Sequence, residues 1–388
     1  MPDIPHINPA PTAPVTTDAS LQHLYVHIPF CHKICPYCSF YKHTPGNTDM
    51  AAFVEALATE LETRASQFTL APKTIYFGGG TPSLLSRTHL SRLFERMHDI
   101  LDLSALQEWT FEANPRTFTP EKLQLMRDAG VSRVSLGVQS WRPEQLKVLG
   151  RDHSPDEART AYEQLRAADF PTVNVDLMFA HPGQALEHWR DDLEQTIALA
   201  PDHISTYNLT YEEDTEFFDK FSKGEFHQDA DDDAPFFELM VERLGAAGFD
   251  NYEISNHARP GHRSQHNAAY WAGADFLGIG PGAVSTIGRT RWTNLPDTAK
   301  FIESMQFRRA AETDIEPLSE SAWIMERVAL ELRTDTGLAL TRLSNLEGAD
   351  QRVDAMLEAG HVTQKGQSLV LTRSGKLLAD EVAAYLLG

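Results

Sequence analysis

Three cysteines stand within eight residues, in Tyr25-Val-His-Ile-Pro-Phe-Cys31-His-Lys-Ile-Cys35-Pro-Tyr-Cys38-Ser-Phe40. The chain has no others, so a disulfide framework is excluded. Such crowding points to one shared task. Thiolates are natural ligands for iron–sulfur clusters. The spacing C-x-x-x-C-x-x-C can fill three corners of a cubane and leave the fourth iron open to a small molecule. Zinc is the rival, since three thiols with His27, His32 or His43 would make a Cys₃His site. Structural zinc sites more often pair two short knuckles from separate places. No second knuckle exists here, which favours a [4Fe–4S] cluster on Cys31, Cys35 and Cys38.

Other residues could serve a ligand beside that cluster. Phe77-Gly78-Gly79-Gly80-Thr81-Pro82 ends a β-branched run, and glycines there let the backbone approach a ligand and donate N–H groups. Glu112 in Phe-Glu-Ala-Asn-Pro and Asp176 in Asn-Val-Asp-Leu are carboxylates inside apolar strand runs. Buried there, they need partners. Gln139 and Arg151 fall at or just beyond strand ends. In His266-Asn267-Ala-Ala-Tyr270-Trp271, the histidine is either an axial ligand for iron or a hydrogen-bonded packing corner. The neighbouring Tyr and Trp rings can wall an apolar macrocycle.

These residues must be held by a scaffold. Short apolar or β-branched runs recur at Leu24–Ile28, Thr74–Phe77, Trp109–Glu112, Arg133–Val138, Thr172–Met178 and His203–Asn208. Amphipathic stretches lie between them, several opening with Pro or Ser. Alternation of this kind predicts parallel βαβ units and an α/β fold. Six units fit a partial TIM-like (βα)₆ barrel. A doubly wound open sheet is the alternative that periodicity alone does not reject. In either, chemistry gathers at the C-terminal ends of the strands. The pattern changes after Thr210. Residues 1–20 read as a disordered leader, 21–210 as the barrel core, and 211–310 as an α+β extension. Residues 311–388 read as helix, helix, hairpin and helix, a winged-helix-like module.

The cysteine spacing resembles the radical-SAM superfamily, whose proteins bind S-adenosylmethionine (SAM) at the open iron. That resemblance implies reductive cleavage of the sulfonium to a 5′-deoxyadenosyl radical, with electrons from a donor such as a flavodoxin or ferredoxin. In order and spacing, Glu112, Gln139, Arg151 and Asp176 resemble the SAM contacts of the coproporphyrinogen-dehydrogenase-like branch. Carried over, Glu112 and Arg151 would hold the methionyl end, and Gln139 and Asp176 the ribose hydroxyls. Gly78, Gly79, Gly80 and Thr81 match the branch's glycine motif at the SAM amino group, and Tyr25 is similar to a residue lining the pocket.

Within that branch, Phe40 stands where the dehydrogenases carry a fourth cysteine. His266 to Trp271 matches H-N-x-x-Y-W of the heme-chaperone subgroup, HemW. Asn251-Tyr-Glu253-Ile-Ser-Asn256 and Gly278-Ile-Gly-Pro-Gly282 are also similar to it. Tyr25 falls too early for the dehydrogenases' long N-terminal extension. The resemblance implies heme at His266 and a hemoprotein acceptor. The alternative it leaves open is oxidative decarboxylation of coproporphyrinogen III in porphyrin biosynthesis. One departure is local: the branch runs Tyr-Gly-Leu-Pro-Gly-Gln where this chain has Phe179-Ala180-His181-Pro182-Gly183-Gln184.

Bulk properties narrow the partners. The net charge is −21, from 55 acidic and 34 basic residues, which argues against nucleic acid and anionic membranes. No apolar run reaches the roughly 18–20 residues of a membrane span. Residues 1–20 carry five prolines and no Lys or Arg, unlike a signal peptide, so a cytoplasmic location is expected.

Overall fold

A computed structural model describes residues 20–227 and 230–388. The expected leader therefore lies almost wholly outside the described residues. Six strands follow the predicted runs closely: β1 (Leu21–Ile28), β2 (Leu70–Gly79), β3 (Glu108–Ala113), β4 (Arg133–Gln139), β5 (Thr172–Phe179) and β6 (His203–Asn208). Between them run α1 (Met50–Gln67), α2 (Arg87–Ile100), α3 (Pro120–Ala129), α4 (Pro143–Val148), α5 (Pro155–Ala167) and α6 (Leu186–Ala198). Local chemistry sets their ends. Pro120 and Pro155 occupy first turns, where the missing N–H costs nothing. Ser154 and Glu157 close a capping box on α5, and Gly130 ends α3 with φ of 105°.

Strands β1 to β6 lie side by side in chain order and all parallel. This singly wound order removes the doubly wound alternative, which needs a reversal of strand order. Three short strands complete a nine-stranded sheet: β7 (Asp250–Asn251), β8 (Asn256–Ala258) and β9 (Leu277–Ile279). Strand β9 runs parallel to β1 at one edge, and antiparallel β8 and β7 follow β6 at the other.

Side chains alternate across each strand. One face carries Val26, Ile28, Ile75, Phe77, Trp109, Phe111, Val134, Leu136, Val173, Val175 and Ile204, all buried in one core with the helices. The opposite face carries His27, Tyr76, Glu108, Thr110, Glu112, Arg133, Ser135, Asn174, Asp176, His203 and Ser205. A sheet with one apolar and one polar face, both largely covered, requires the polar face to satisfy itself or a ligand.

The rest of the chain extends the helical layer on the apolar face and covers part of the polar one. Helices α7 (Glu216–Ser222), α8 (Ala230–Ala246), α9 (Gln265–Trp271) and α10 (Thr298–Gln306) belong to this part. So does a sheet of β10 (Val284–Ile287), β11 (Thr290–Asn294) and β12 (Glu312–Pro317). A second core then forms from α11 (Glu320–Leu332), β13 (Leu338–Ala339), α12 (Ala349–Glu358), β14 (Val362–Lys365), β15 (Ser368–Leu371), α13 (Arg373–Leu377) and α14 (Ala379–Leu387). The predicted hairpin is β14–β15, turning at Gly366, and the predicted final helix is α14, preceded by the short α13. Among the described residues no helix is long and apolar enough to cross a membrane.

Candidate functional site

The cysteine loop leaves the C-terminal end of β1 and is held from several sides. Cys31 N–H donates to His43 O at 3.0 Å, and His43 N–H to Pro29 O at 2.8 Å. Cys38 N–H donates to Cys35 O at 3.2 Å, a tight turn that brings those thiols to one side. Phe217 N–H donates to Pro36 O at 3.0 Å, and the Phe217 and Tyr37 rings pack together. The Thr81 hydroxyl reaches Cys31 Sγ at 3.7 Å, and Arg151 Nη1 reaches Cys35 Sγ at 3.6 Å. Burial pushes the Cys31 thiol up to about 11 and raises that of Cys38 as well. Such thiols ionise when a cation replaces the proton, as metal ligands do.

Above this loop opens a cavity of about 410 Å³. It is lined by the three cysteines, Gly79, Gly80, Thr81, Glu112, Gln139, Arg151 and Asp176, with Phe40 at its mouth, 66% exposed. The geometry thus brings together most of the residues singled out in the sequence. Glu112 accepts from the Tyr76 hydroxyl at 2.7 Å, and burial pushes its carboxyl up to about 7. Asp176 accepts from Ser135 Oγ with both oxygens, at 3.0 and 3.1 Å, and from Asn174 Nδ2 at 2.7 Å. Burial raises its carboxyl too. Arg151 Nη2 is fixed by Asn114 Oδ1 at 2.5 Å and Gly137 O at 2.8 Å.

Two observations favour a polar ligand here. Gln139 holds φ of 69°, a left-handed conformation uncommon for a residue with a side chain. Its Oε1 and the Arg151 Nε are buried with no partner among the described residues. Buried orphans of this kind cost energy unless something meets them.

Three groups of the expected site residues are engaged within the protein itself. The Gly80 and Thr81 N–H groups are not free for a ligand, because they donate to Ile28 O and Phe30 O, both at 2.8 Å. The glycine run is needed for close packing instead: a Cβ on Gly79 would lie 2.4 Å from the His27 ring, and one on Gly78 would lie 3.1 Å from Glu112 Oε1. Tyr25 does not line the cavity. It stacks behind Tyr76 at 6.1 Å and donates to His27 Nδ1 at 3.1 Å. His266 is not brought to the cavity either. It is 8% exposed, its Nδ1 bonds Thr74 Oγ1 at 2.8 Å, and Tyr76 packs against its ring at 5.1 Å. Burial lowers its pKa to about 3. From α9, the neutral ring is tied to the sheet through Nδ1.

Sequence reasoning missed Tyr76, Asn114, Ser135 and Asn174. Strict alternation along the strands was the available signal for Tyr76, Ser135 and Asn174. It also missed how far the Asp176 network runs. Asn174 Oδ1 bonds His203 Nδ1 at 2.7 Å, and His203 Nε2 bonds the Tyr252 hydroxyl at 2.8 Å. Tyr252 lies in the Asn251–Asn256 motif, so that motif supports the site from behind. Glu108 caps the N-terminus of α9 by accepting from Gln265 N–H at 3.0 Å and His266 N–H at 3.1 Å. The departure at Ala180 leaves an alanine at φ of 55°, where glycine is the unstrained choice.

A family model described as the radical SAM superfamily matches residues 25–196. The chain is 38% identical to "Heme chaperone HemW" of Mycobacterium tuberculosis over 392 residues, covering 100% of this chain and 98% of that one. It is 34% identical to the Bacillus subtilis protein of the same name, covering 94% and 98%. It is also 34% identical to "Radical S-adenosyl methionine domain-containing protein 1, mitochondrial" of Bos taurus, covering 94% and 87%. Among solved structures, coproporphyrinogen III oxidase (HemN) from Escherichia coli superimposes with a TM-score of 0.82. That match covers 95% of this chain and 90% of the other at 22% identity, a likeness of fold alone.

Proposed function

The chain belongs to the HemW heme-chaperone family of the radical SAM superfamily, and from that premise we propose that it carries heme to a hemoprotein acceptor. In this reading Cys31, Cys35 and Cys38 hold a [4Fe–4S] cluster, and SAM fills the cavity beside it. The observation that carries the reading is the convergence of three cysteines with the orphaned Gln139 and Arg151 groups in one cavity. The cluster, when bound, supplies an electron and an open coordination site for SAM. The chain's own part is to bind and orient. Arg151 and Glu112 face the charged methionyl end, and Gln139 and Asp176 the ribose hydroxyls. A flavodoxin or ferredoxin is the class of electron donor. The described elements read as a partial barrel over 21–210, an extension over 211–310 and a winged-helix-like module over 311–388 that packs rather than binds DNA.

Glu112 makes SAM binding pH-dependent. Its carboxyl, held near 7 by burial, is neutral below that pH and cannot complement a cationic ligand. SAM affinity is therefore expected to fall as pH drops through 7, about tenfold at one unit below. Glu112→Gln should be uniformly weak and flat between pH 6 and 8. Isothermal titration checks this, and a parent profile without slope would remove Glu112 from the site.

Heme belongs near α9 in this reading. Tyr270 there is 45% exposed, and His266 ties the helix to the sheet through Thr74. Hemin added to the anaerobically reconstituted protein should give a sharp band that survives desalting. His266→Ala is expected to weaken hemin retention while the cluster absorbance persists. Full retention would place the heme elsewhere, and a parent chain that keeps no hemin would overturn the chaperone reading.

A further inference from the structure

Resting on the reading that the three cysteines hold a cluster, we infer that Thr298, far along the chain, is a positioning residue for the cysteine loop. Thr298 opens α10 and is 4% exposed. Its N–H is one of the donors that a helix leaves unsatisfied at its start. The loop supplies the acceptor: Thr298 N–H donates to the Tyr41 hydroxyl at 2.8 Å. Its own hydroxyl lies 3.1 Å from the Tyr41 hydroxyl and 2.8 Å from His43 Nε2.

The directions of these bonds can be assigned. A carbonyl only accepts, so His43 Nδ1 donates to Thr44 O at 2.8 Å. In the neutral ring this leaves Nε2 to accept from the Thr298 hydroxyl. The Tyr41 hydroxyl then donates to Thr298 Oγ1 while accepting from Thr298 N–H. Each donor in the set meets one acceptor, with none left over.

The other side of the same segment is held by β1. His27 Nε2 donates to Tyr41 O at 2.8 Å, and Tyr25 donates to His27 Nδ1. Tyr41 is thus gripped at its carbonyl by the sheet and at its hydroxyl by α10. Gly282 packs flat on its ring, where a Cβ would lie 2.8 Å from Tyr41 Cβ. His43 in turn accepts the Cys31 amide through its carbonyl, so the clamp reaches a cluster ligand through one residue. The extension is therefore part of the cluster site rather than an appendage to it.

The test uses the full chain with Thr298→Val, Thr298→Ser and Tyr41→Phe. In iron-free protein, amide exchange across residues 38–43 is expected to quicken about tenfold in Thr298→Val and Tyr41→Phe, the scale of losing buried hydrogen bonds. Thr298→Ser should exchange like the parent. After anaerobic reconstitution, the Val and Phe variants should lose the cluster in air several-fold faster, with shifted g values for the reduced, SAM-bound cluster. The Ser variant should restore both. Parent-like exchange in both Val and Phe variants would overturn the inference even if no iron binds. Parent-like decay and g values in a loaded Val variant would overturn it as well. A parent chain that takes up no iron defeats the cluster reading separately and leaves the exchange result to decide Thr298.

Discussion

Cys35→Ala is expected to abolish stable cluster incorporation while the chain stays folded. The thiol is partly exposed, with Arg151 Nη1 at 3.6 Å and the Tyr37 hydroxyl beside it. The loop is pinned by backbone bonds at Cys31, Pro36 and His43 that do not use the Cys35 side chain. The structural cost should therefore stay near the surface range of about ±0.5 kcal/mol. The chelate, by contrast, loses one of three protein ligands, and the remaining two cannot cap three irons. Iron per chain should fall from about four to well under one, and the broad absorbance near ~400 nm should vanish. Retention of a full iron complement would show that the thiols are not the ligands.

Gly80→Ala should be nearly as damaging, for a different reason. A Cβ there would lie 2.8 Å from Ile28 O, Phe30 N and Phe30 O, all backbone. No side chain can rotate away to relieve that contact. Either β2 or the start of the cysteine loop must shift, at the overpacking cost of about 1–3 kcal/mol. The shift falls one residue from Cys31 and also strains the Gly80 N–H bond to Ile28 O. Thermal melting should drop by several degrees and reconstituted iron by more than half. A variant with parent melting and parent iron would mean that the loop is more compliant than its bonding suggests.

Much of this was legible in the residues. The βα alternation placed six strands within a few residues of their true ends, because most of them carry a largely apolar face. Glu112 and Asp176 stood out as charges inside such runs. The cysteine spacing pointed to the superfamily whose model matches the chain. What escaped was non-local. Strand β9 is three residues long and takes its place only by pairing with Leu24, Tyr25 and Val26. Tyr76 and Asn174 look like ordinary strand residues until the polar face is assembled. His266 read either as an axial ligand or as a hydrogen-bonded packing corner. Its burial depends on Thr74 and Tyr76 from a distant strand, which no local pattern encodes. The glycine run borders the cavity through Gly79 and Gly80, and its close packing on His27, Ile28 and Phe30 is equally non-local.

The contact between His43 and Thr298 spans 255 residues of chain, and that separation sets a clock. At about 5–20 residues per second, roughly 13–50 seconds pass between synthesis of one partner and of the other. Throughout that interval the three thiols are already made, yet the clamp on their loop is incomplete, and for most of it the outer edge of β1 still lacks β9. Metal delivered to the nascent chain would meet thiols without their final geometry. Insertion of iron and sulfide is therefore expected late, once β9 and Thr298 have been made.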